Sequence, residues 1–516
     1  MGHLTLFNRQ SAPPSRQDGN LSYPLIHLSK HDPWTIGDSF EHTFIVGETG
    51  SGKTTGSGQN LALAMLRAGY GGLVLTHKSD EVWRWVSYLK AAGRSRDLIL
   101  VSPDTPWRFN FLDYSYSRPG QGSGLTQNVV SGFMNVMESR HRGGQRQTQE
   151  QFWSEYAGRL MFHGLEALRH AGEPITMDNL MTLLTTAPYD VRGKGLTYPP
   201  GSYCEQVLRW ANHPPTTQFF ENEWAKPGAE KQNAGVLATF TGMAHPFTQD
   251  PINELFCTTT NFTPDDCRQG AVIVVGLPTL DYEEVGRTAQ LTIKYLWQRA
   301  MLRRAFLSPG ERPTFLRVEE AQRLVNPLDN SFFDAARSHY VAGVYLTQSV
   351  NAIYSAMTPG MHEQQGNALL ANFSTKIFHR NSDVVTNRFA SETISKSIIR
   401  RRSGNFGYST NYSTGGNKGL GRNAGWSVSE TPQGGNYSYS GGDSYSEGKS
   451  WSEGGGYNTT YGWQEADDYL VRPELFTHLA SGGWRSRWRV QAIAFKAGRH
   501  WRRTGQNFLD VSFRQR

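Results

Sequence analysis

A glycine-rich run of eight residues between an apolar stretch and a helical stretch constrains this chain more than any other feature. The apolar run His42–Val46 leads into it, and the helical run Leu61–Arg67 follows it. Strand, glycine-rich loop and helix in this order are the setting of a phosphate-binding loop, in which backbone amides and the positive end of the helix dipole face phosphate oxygens. The run reads Gly47-Glu48-Thr49-Gly50-Ser51-Gly52-Lys53-Thr54.

This loop predicts that the chain binds ATP together with Mg²⁺. In this motif the lysine, here Lys53, reaches the β and γ phosphates, and the hydroxyl of Thr54 ligates magnesium. The glycines adopt backbone torsions that other residues resist, so that successive amides can point inward. The predicted nucleotide contacts are Gly47, Glu48, Thr49, Gly50, Ser51, Gly52, Lys53, Thr54 and Thr55.

An acidic pair at the end of a second apolar strand supplies the other half of the predicted site. The segment Phe315–Gln322 is an apolar run that Arg317 interrupts and that ends in two glutamates followed by Ala-Gln. We predict that Glu319 holds magnesium through water and that Glu320 polarises the attacking water. The alternative, an exposed acidic turn before a helix, is disfavoured by the apolar residues that precede the pair.

Three further side chains are candidates for acting at the γ-phosphate, one as a sensor and two as rival arginines that would act on a neighbouring subunit. Gln348 directly follows the apolar run Val341–Thr347, which is one strand beyond the acids. A polar side chain at this point can sense the γ-phosphate. Arg337 precedes this strand and could complete the site of a neighbouring subunit by stabilising transition-state charge. Arg380, which follows the run Thr375–His379, is a rival for the same role, and a surface helix arginine is the alternative explanation of Arg337.

Short apolar runs that alternate with helical stretches favour an α/β fold with a mostly parallel sheet. The runs are His42–Val46, Leu73–Thr76, Leu98–Val101, Val272–Leu277, Thr314–Val318, Val341–Thr347 and Thr375–His379, with Arg489–Phe495 as a late strand. The segment 122–260 instead carries apolar residues at three- and four-residue spacing, which predicts an inserted all-α domain. Helices packed directly on the sheet are the alternative.

The predicted division of the chain follows from these patterns. We expect an irregular N-terminal arm in 1–38, an ATPase domain in 39–121 and 261–402, the inserted domain in 122–260, a low-complexity insertion in 403–463 and the rest of the ATPase domain in 464–516. The insertion is rich in Gly, Ser, Tyr and Asn, which favours a flexible linker. Its spaced aromatic residues leave two alternatives open, long β-hairpins and a stacking surface for single-stranded bases.

Charge and composition narrow the compartment and the partner only in part. A net charge of +7 and a pI near 9.1 are compatible with a nucleic-acid partner without requiring one. The basic cluster around Arg400–Arg402 suits either contacts with phosphates or a solvated charge run. The stretch between Trp484 and Arg503, with tryptophans among its arginines, suits a DNA-facing or a subunit-facing surface equally. The three cysteines fit a reducing compartment, and the histidines show no metal-ligand spacing, so we predict no metal beyond magnesium.

No apolar run in the sequence reaches the roughly 18 residues that a membrane span needs. We therefore expect a chain without a transmembrane segment of its own. Its expected location is the cytoplasm, or the membrane periphery where partner proteins would hold it.

The order of the motifs resembles the TraG/TraD-type coupling ATPases of type IV secretion and conjugation, within the wider HerA–FtsK group. Besides the loop and the acids, the segments that carry the resemblance are Leu73–Glu81, Arg108–Asp113, Phe152-Trp153 and Asn372–Arg380 with Asp383. The resemblance implies a RecA/FtsK-like P-loop NTPase fold. It also implies a ring, usually a hexamer, whose subunits hydrolyse ATP to drive DNA through a central channel, with the inserted helical domain at one mouth.

Two departures from that family keep other functions open. Family members commonly begin with membrane-spanning helices, and their acidic pair is usually Asp-Glu, whereas this chain has Glu319-Glu320 after the intruding Arg317. One alternative is an ATPase that moves or remodels protein in a secretion or defence complex. Another is a nucleotide-gated DNA-binding module that hydrolyses little, with Glu319 as the impaired residue.

Overall fold

The structure is a computed structural model that describes residues 20–140, 148–190, 193, 195–414, 416–431, 434–448 and 453–515. For 140, 148–151 and 398–467 it describes the backbone alone. The described residues divide into two compact units: those within Met1–Arg380 and Ala480–Arg516 form the first, and those within Asn381–Leu479 form the second.

The strands of the described residues are β1 (Pro24–Ser29), β2 (Asp32–Thr35), β3 (Thr43–Val46), β4 (Gly71–Leu75), β5 (Leu98–Val101), β6 (Tyr189–Asp190), β7 (Leu196–Thr197), β8 (Val272–Val275), β9 (Thr314–Val318), β10 (Val341–Thr347), β11 (Thr375–Phe378), β12 (Lys396–Thr414), β13 (Gly416–Thr431), β14 (Gly434–Gly448), β15 (Glu453–Tyr469), β16 (Arg489–Lys496) and β17 (Phe508–Arg514).

The α-helices of the same residues are α1 (Ile36–Ser39), α2 (Gln59–Arg67), α3 (Ser79–Ala91), α4 (Phe111–Ser117), α5 (Thr126–Arg140), α6 (Thr148–Ala171), α7 (Met177–Thr185), α8 (Tyr203–Ala211), α9 (Pro214–Gln218), α10 (Glu230–Ala244), α11 (Ile252–Phe256), α12 (Glu283–Leu302), α13 (Leu328–Ala336), α14 (Val350–Tyr354), α15 (His362–Ala371) and α16 (Val384–Ile394). Of these helices, none combines the length and the apolar content that crossing a bilayer requires.

The first unit is built on a sheet whose nine described strands run in the order β17-β16-β11-β3-β10-β9-β4-β8-β5. The strands from β11 to β5 are parallel, and β16 and β17 add an antiparallel edge. Strands β3, β4, β8, β9, β10 and β11 are buried along their whole length, as expected when helices cover both faces of a parallel sheet. The mostly parallel sheet predicted from the apolar runs is confirmed. Because these strands are parallel, the carboxyl ends of β3, β9, β10 and β11 all lie along the same edge of the sheet, the one formed by strand ends.

The prediction of an irregular arm in 1–38 is wrong for the part that the structure describes. Residues 24–35 form the antiparallel hairpin β1–β2, and α1 follows with a Thr35–Asp38 capping box. Trp34 is buried, and its indole nitrogen donates to Thr375 Oγ1 over 3.3 Å. The hairpin is therefore stabilised by packing on the sheet, a long-range contact that the polar, turn-rich local sequence does not reveal.

The predicted all-α insertion, 122–260, holds helices α5 to α11 together with the two-residue strands β6 and β7. Asn110, at the start of α4, precedes this segment and contacts it. Its side-chain oxygen caps α4 by accepting from the Leu112 and Asp113 amides, and its side-chain nitrogen donates to Ile175 O over 2.9 Å. The segment shares one compact unit with the sheet, so its status as a separate domain stays a prediction.

The second unit contains α16 and a four-stranded antiparallel sheet in the order β14-β13-β12-β15. The favoured interpretation of 403–463 as a flexible linker does not match this backbone, which follows the long-hairpin alternative. Strands β12 and β15 pair from Lys396 opposite Tyr469 to Tyr412 opposite Glu453. A Gly-, Ser- and Asn-rich composition is depleted in the β-branched residues that signal strands, so composition alone favours a linker.

Candidate nucleotide site

The glycine-rich loop leaves the carboxyl end of β3 and enters a π-helical turn, Thr54–Gly58, that leads into α2. Gly50 and Gly52 have φ values of 77° and 83°, the left-handed region that favours glycine. A Cβ at Gly52 would also lie 2.6 Å from Val490 Cγ2 on β16. Glycine at position 52 is thus needed both for the turn and for the close approach of β16.

Neighbouring strand ends hold the loop in place. The Gly47 amide donates to Thr347 O over 3.2 Å at the end of β10, and the Glu48 amide donates to Arg380 O over 3.1 Å just after β11. Arg380 also forms an ion pair with Glu48, with 2.7 Å between Nε and Oε1. The flanking parallel strands therefore fix the loop, and Arg380 lies beside the loop of its own chain.

The structure brings Lys53, Glu320 and Gln348 together at this edge of the sheet. Lys53 Nζ lies 3.5 Å from Glu320 Oε1, and both side chains are nearly buried. Gln348 Nε2 donates to Glu320 Oε2 over 3.2 Å, and Gln322 Nε2 donates to the same oxygen over 2.7 Å. The Glu320 backbone is left-handed, with φ at 49°. One carboxylate thus faces an ammonium and two amides, and Gln322 is a partner that sequence reasoning did not single out.

Glu319 is buried in an ion pair with Arg317. Arg317 donates from Nε and Nη2 to Glu319 Oε1 over 2.9 and 2.7 Å, and from Nη1 to Gly58 O over 3.0 Å. Burial, followed by the charge of Glu319, raises the pKa of the nearby Glu81 carboxyl to about 7. The arginine that interrupts the apolar strand is therefore the counter-charge of the predicted magnesium carboxylate.

A buried histidine lies behind the loop. His379 Nε2 lies 2.7 Å from Ser57 Oγ, and a Cβ at Gly47 would lie 2.7 Å from His379 Cβ. Burial lowers the pKa of His379 to about 3, so its imidazole is neutral at physiological pH. The feature of the sequence that indicates it is its place at the end of the apolar run Thr375–His379, next to Arg380.

The remaining predicted residues occupy different places. Thr49 and Gly50 are exposed at the tip of the loop, and Thr55 Oγ1 accepts from Gln515 Nε2 over 2.7 Å. Arg337 lies at the opposite edge of the sheet, before β10 begins, and its Nη2 pairs with Glu41 Oε1 over 2.8 Å. It is therefore not part of the site of its own chain, and its predicted action on a neighbouring subunit stays a prediction.

The residues of the loop suit a nucleotide with magnesium. Ser51 Oγ is fully buried and has no hydrogen-bond partner among the described residues. A buried hydroxyl without a partner is costly unless a ligand satisfies it. Together with Lys53, the Thr54 hydroxyl and the nearby carboxylates, it provides the oxygen donors and the cation that Mg²⁺ and phosphate prefer.

A second polar cluster lies within 122–260, where no metal ligand was predicted. Glu166, His170 and His213 place one ligand atom each within 4.8 Å of one another. Arg169 Nη2 donates to Glu166 Oε2 over 2.8 Å and lies 2.9 Å from His170 Nε2. The Arg169 guanidinium therefore already contacts two of the three residues of this cluster.

Comparison with known families decides what kind of P-loop protein this is. Residues 14–310, more than half of the chain, match the family model for type IV secretory system conjugative DNA transfer. The chain belongs to this family. The resemblance to conjugative coupling proteins drawn from the motifs is thereby confirmed. No protein of curated function matches the sequence.

Solved structures of coupling proteins share the fold. The unbound bacterial conjugative coupling protein TrwBdeltaN70 is 12% identical with a TM-score of 0.56, and the match covers 96% of this chain and 89% of that one. The plasmid coupling protein TrwB in complex with ADP and Mg²⁺ is 13% identical with a TM-score of 0.55, covering 94% and 87%. TrwB in complex with the non-hydrolysable GTP analogue GDPNP is 13% identical with a TM-score of 0.56, and the match covers 95% of this chain and 89% of that one. The predicted RecA/FtsK-like P-loop fold is thus confirmed for this coupling-protein family member.

Proposed function

We propose that this member of the conjugative DNA-transfer family is an ATP hydrolase that assembles as a ring, a hexamer by family resemblance, and translocates DNA. The observation that carries the proposal is the convergence of Lys53, Glu320 and Gln348 at the edge of the sheet where the glycine loop begins. Binding, water activation and γ-phosphate sensing need these three chemistries within reach of one phosphate.

The loop from Gly47 to Thr55 would hold the phosphates through its amides and through Lys53, and the Thr54 hydroxyl would ligate Mg²⁺. Magnesium held there would supply positive charge to offset that of the phosphate oxygens. That TrwB is seen with ADP and Mg²⁺ on the same fold supports this assignment. Glu319 would contribute through a water, which requires its carboxylate to share its charge between Arg317 and that water.

Glu320 would accept the proton of the attacking water. The amides of Gln322 and Gln348, both directed at Glu320 Oε2, hold the carboxylate in one orientation. Lys53, 3.5 Å from the other oxygen, would exchange this contact for a phosphate oxygen when nucleotide binds. Gln348 would then report the presence of the γ-phosphate to the strand that carries it.

Arg337 would act on the nucleotide of a neighbouring subunit. Its side chain is 70% exposed at the edge opposite its own loop, as a residue that reaches across a subunit boundary must be. Arg380, paired with Glu48 of its own loop, is less suited to that role. The partners implied are DNA, further copies of the chain, and secretion-system proteins that would place it at the membrane.

The test is ATP turnover by a size-resolved sample, with and without single- and double-stranded DNA. DNA-stimulated turnover in the assembled fraction, falling as salt rises and absent from Lys53→Ala, is the expected result. Turnover that no DNA changes would reject the DNA-motor function.

One observation favours a second candidate, a nucleotide-gated DNA-binding module with little hydrolysis. Arg317 occupies Glu319 with two hydrogen bonds, so the carboxylate is less available to a metal ion. Tight ATP binding without turnover in the assembled fraction would favour this candidate over the motor.

A further inference from the structure

The described segment Ser481–Arg489 leads into β16 and carries an exposed run of aromatic and basic residues. We name this segment the Trp–Arg turn. Trp484 and Trp488 are 75% and 57% exposed. Arg485, Arg487 and Arg489 alternate with them, and no acidic residue lies in the turn. The Arg485 guanidinium lies 5.3 Å from the centre of the Trp484 ring.

The backbone of this turn adopts an unusual conformation that hydrogen bonds support. Arg487 and Trp488 both have positive φ, 52° and 60°, which side chains of this size rarely adopt. Hydrogen bonds hold the conformation: the Trp488 amide donates to Gly483 O over 2.8 Å, and Ser481 bridges to Val490. Strained backbone that the surroundings hold in place concentrates at functional sites.

Gln515 connects the turn to the nucleotide loop. Its backbone amide donates to Trp488 O over 2.9 Å, and its side-chain oxygen accepts from the Gly483 amide over 2.8 Å. Its side-chain nitrogen donates to Thr55 Oγ1 over 2.7 Å. One side chain therefore bonds both to the loop that would hold phosphate and to the turn that carries the tryptophans.

A second contact links the same two elements through packing. Val490 directly follows the turn as the second residue of β16, and its methyl carbons would lie 2.6 and 2.8 Å from a Cβ at Gly52. The same side chain lies beside Gly56 in the π-helical turn after the loop. A shift of the loop on binding or losing a γ-phosphate would therefore act directly on the base of the Trp–Arg turn.

We propose that the Trp–Arg turn is a stacking site for single-stranded nucleic acid and that Gln515 couples its affinity to the nucleotide bound at the loop. This inference rests on the proposed function and assigns the residues that would contact the DNA strand. Exposed indoles offer faces to unpaired bases, and interleaved guanidiniums bind phosphates. Bases of a duplex are already stacked, and a second copy of the turn would bring like charges together, so an unpaired strand is the occupant that this chemistry fits.

The experiment measures binding of a fluorescein-labelled dT20 oligonucleotide to the full chain by anisotropy. Trp484→Ala and Trp488→Ala should each weaken binding by about tenfold or more, whereas Trp484→Phe, which keeps a ring, should retain most of the affinity. Trp210→Ala, which removes a comparably exposed tryptophan from α8, is the matched control and should bind as the parent does. Thermal denaturation of each variant verifies that it is folded.

Unchanged dT20 affinity in both alanine variants overturns the stacking site. A change of oligomeric mass with unchanged affinity overturns it too, because the turn is then a subunit contact. If DNA still stimulates ATP turnover of the parent in either case, the proposed function stands and the strand binds elsewhere. If the parent neither binds dT20 nor responds to any DNA, both proposals fall.

The coupling is tested with Gln515→Leu, measured with and without a non-hydrolysable ATP analogue. The parent should bind dT20 with different affinities in the two states, and the variant should bind with the same affinity in both. Gln127→Leu on α5, an exposed position, should keep the difference. A parental affinity that the analogue does not change, or a difference that survives in Gln515→Leu, overturns the coupling.

Discussion

Arg317 and Glu319 form a buried ion pair on the strand that leads to the candidate catalytic carboxylate, with 2.7 Å between Nη2 and Oε1. The same guanidinium donates to Gly58 O, at the end of the turn that follows the nucleotide loop. The pair therefore connects the acidic strand end to the loop. It also compensates a charge that burial would otherwise make costly.

Replacing Arg317 with methionine should destabilise the fold by about 3–5 kcal/mol, because Glu319 is then buried without a counter-charge. Urea denaturation of the variant and the parent measures this difference. Arg67→Met, at an exposed position on α2, should cost less than about 0.5 kcal/mol. The double variant Arg317→Met/Glu319→Gln should recover much of the loss. A double variant as unstable as the single one would show that the ion pair is not the reason.

Glu320→Gln should lower ATP turnover by about 10²–10⁴-fold, since an amide cannot accept the proton of the attacking water. Affinity for a fluorescent ATP analogue should persist, because Lys53 and the loop amides remain. Turnover and analogue binding are measured on the same sample. A variant that hydrolyses ATP at more than about a tenth of the parental rate would remove Glu320 from the role of base.

Gly52→Ala should weaken nucleotide binding and destabilise the loop, since alanine at a φ of 83° is strained and its Cβ would lie 2.6 Å from Val490. Gly50→Ala is the matched control, because position 50 has a similar φ of 77° but no atom within 4 Å of the added Cβ. Gly52→Ala should therefore be the more damaging, and Val490→Ala should partly rescue it. Equal losses in the two variants would refute a role for the Val490 contact.

Stability should fall as pH drops below about 6.5, in part because of His379. Burial lowers its pKa from 6.5 to about 3, so folding favours the neutral imidazole. The contribution of His379 to the free energy of unfolding is fully present above its unfolded-state pKa of 6.5. As the pH falls from that value toward the folded-state pKa, the contribution decreases by about 1.4 kcal/mol per pH unit. Denaturation at pH 7.5 and 5.5 should show a smaller drop for His379→Gln than for the parent or for His362→Gln. An equal drop in all three proteins would contradict the assignment.

Arg337→Ala should lower turnover by about 10³-fold if this arginine acts on a neighbouring nucleotide. Mixing Arg337→Ala subunits with Lys53→Ala subunits should restore part of the turnover, because some neighbours then combine an intact loop with an intact arginine. Mixed assemblies without activity would contradict action in trans. Arg380→Ala, tested in the same way, measures the rival residue.

The features that local sequence determines were predictable. The loop needs Gly50, Gly52 and Lys53 in one continuous run, and the strand Val272–Val275 is apolar at every position because both of its faces are covered. The family followed from the order of such motifs. The convergence of Lys53 with Glu320 was predictable as chemistry, since a P-loop site requires it, although the 3.5 Å contact was not.

The features that depend on distant parts of the chain were not predictable. Gln515 bonds to a residue 460 positions away, because β16 and β17 extend the sheet beside β11 and so place the end of the chain against the loop. Trp34 is buried and donates to Thr375, on a strand 341 positions away, so the polar local sequence does not reveal that its segment packs on the sheet. In both cases tertiary packing, rather than local pattern, decides the structure.

In the proposed function, ATP hydrolysis at this loop moves DNA. Displacement of streptavidin from single-stranded DNA biotinylated at one end or the other tests it most directly, using the assembled fraction of the full chain. A DNA motor should displace streptavidin from one end only, in a reaction that requires ATP, fails with a non-hydrolysable analogue and is absent from Lys53→Ala. ATP turnover without displacement from either end, or displacement that proceeds equally well without ATP, would contradict it.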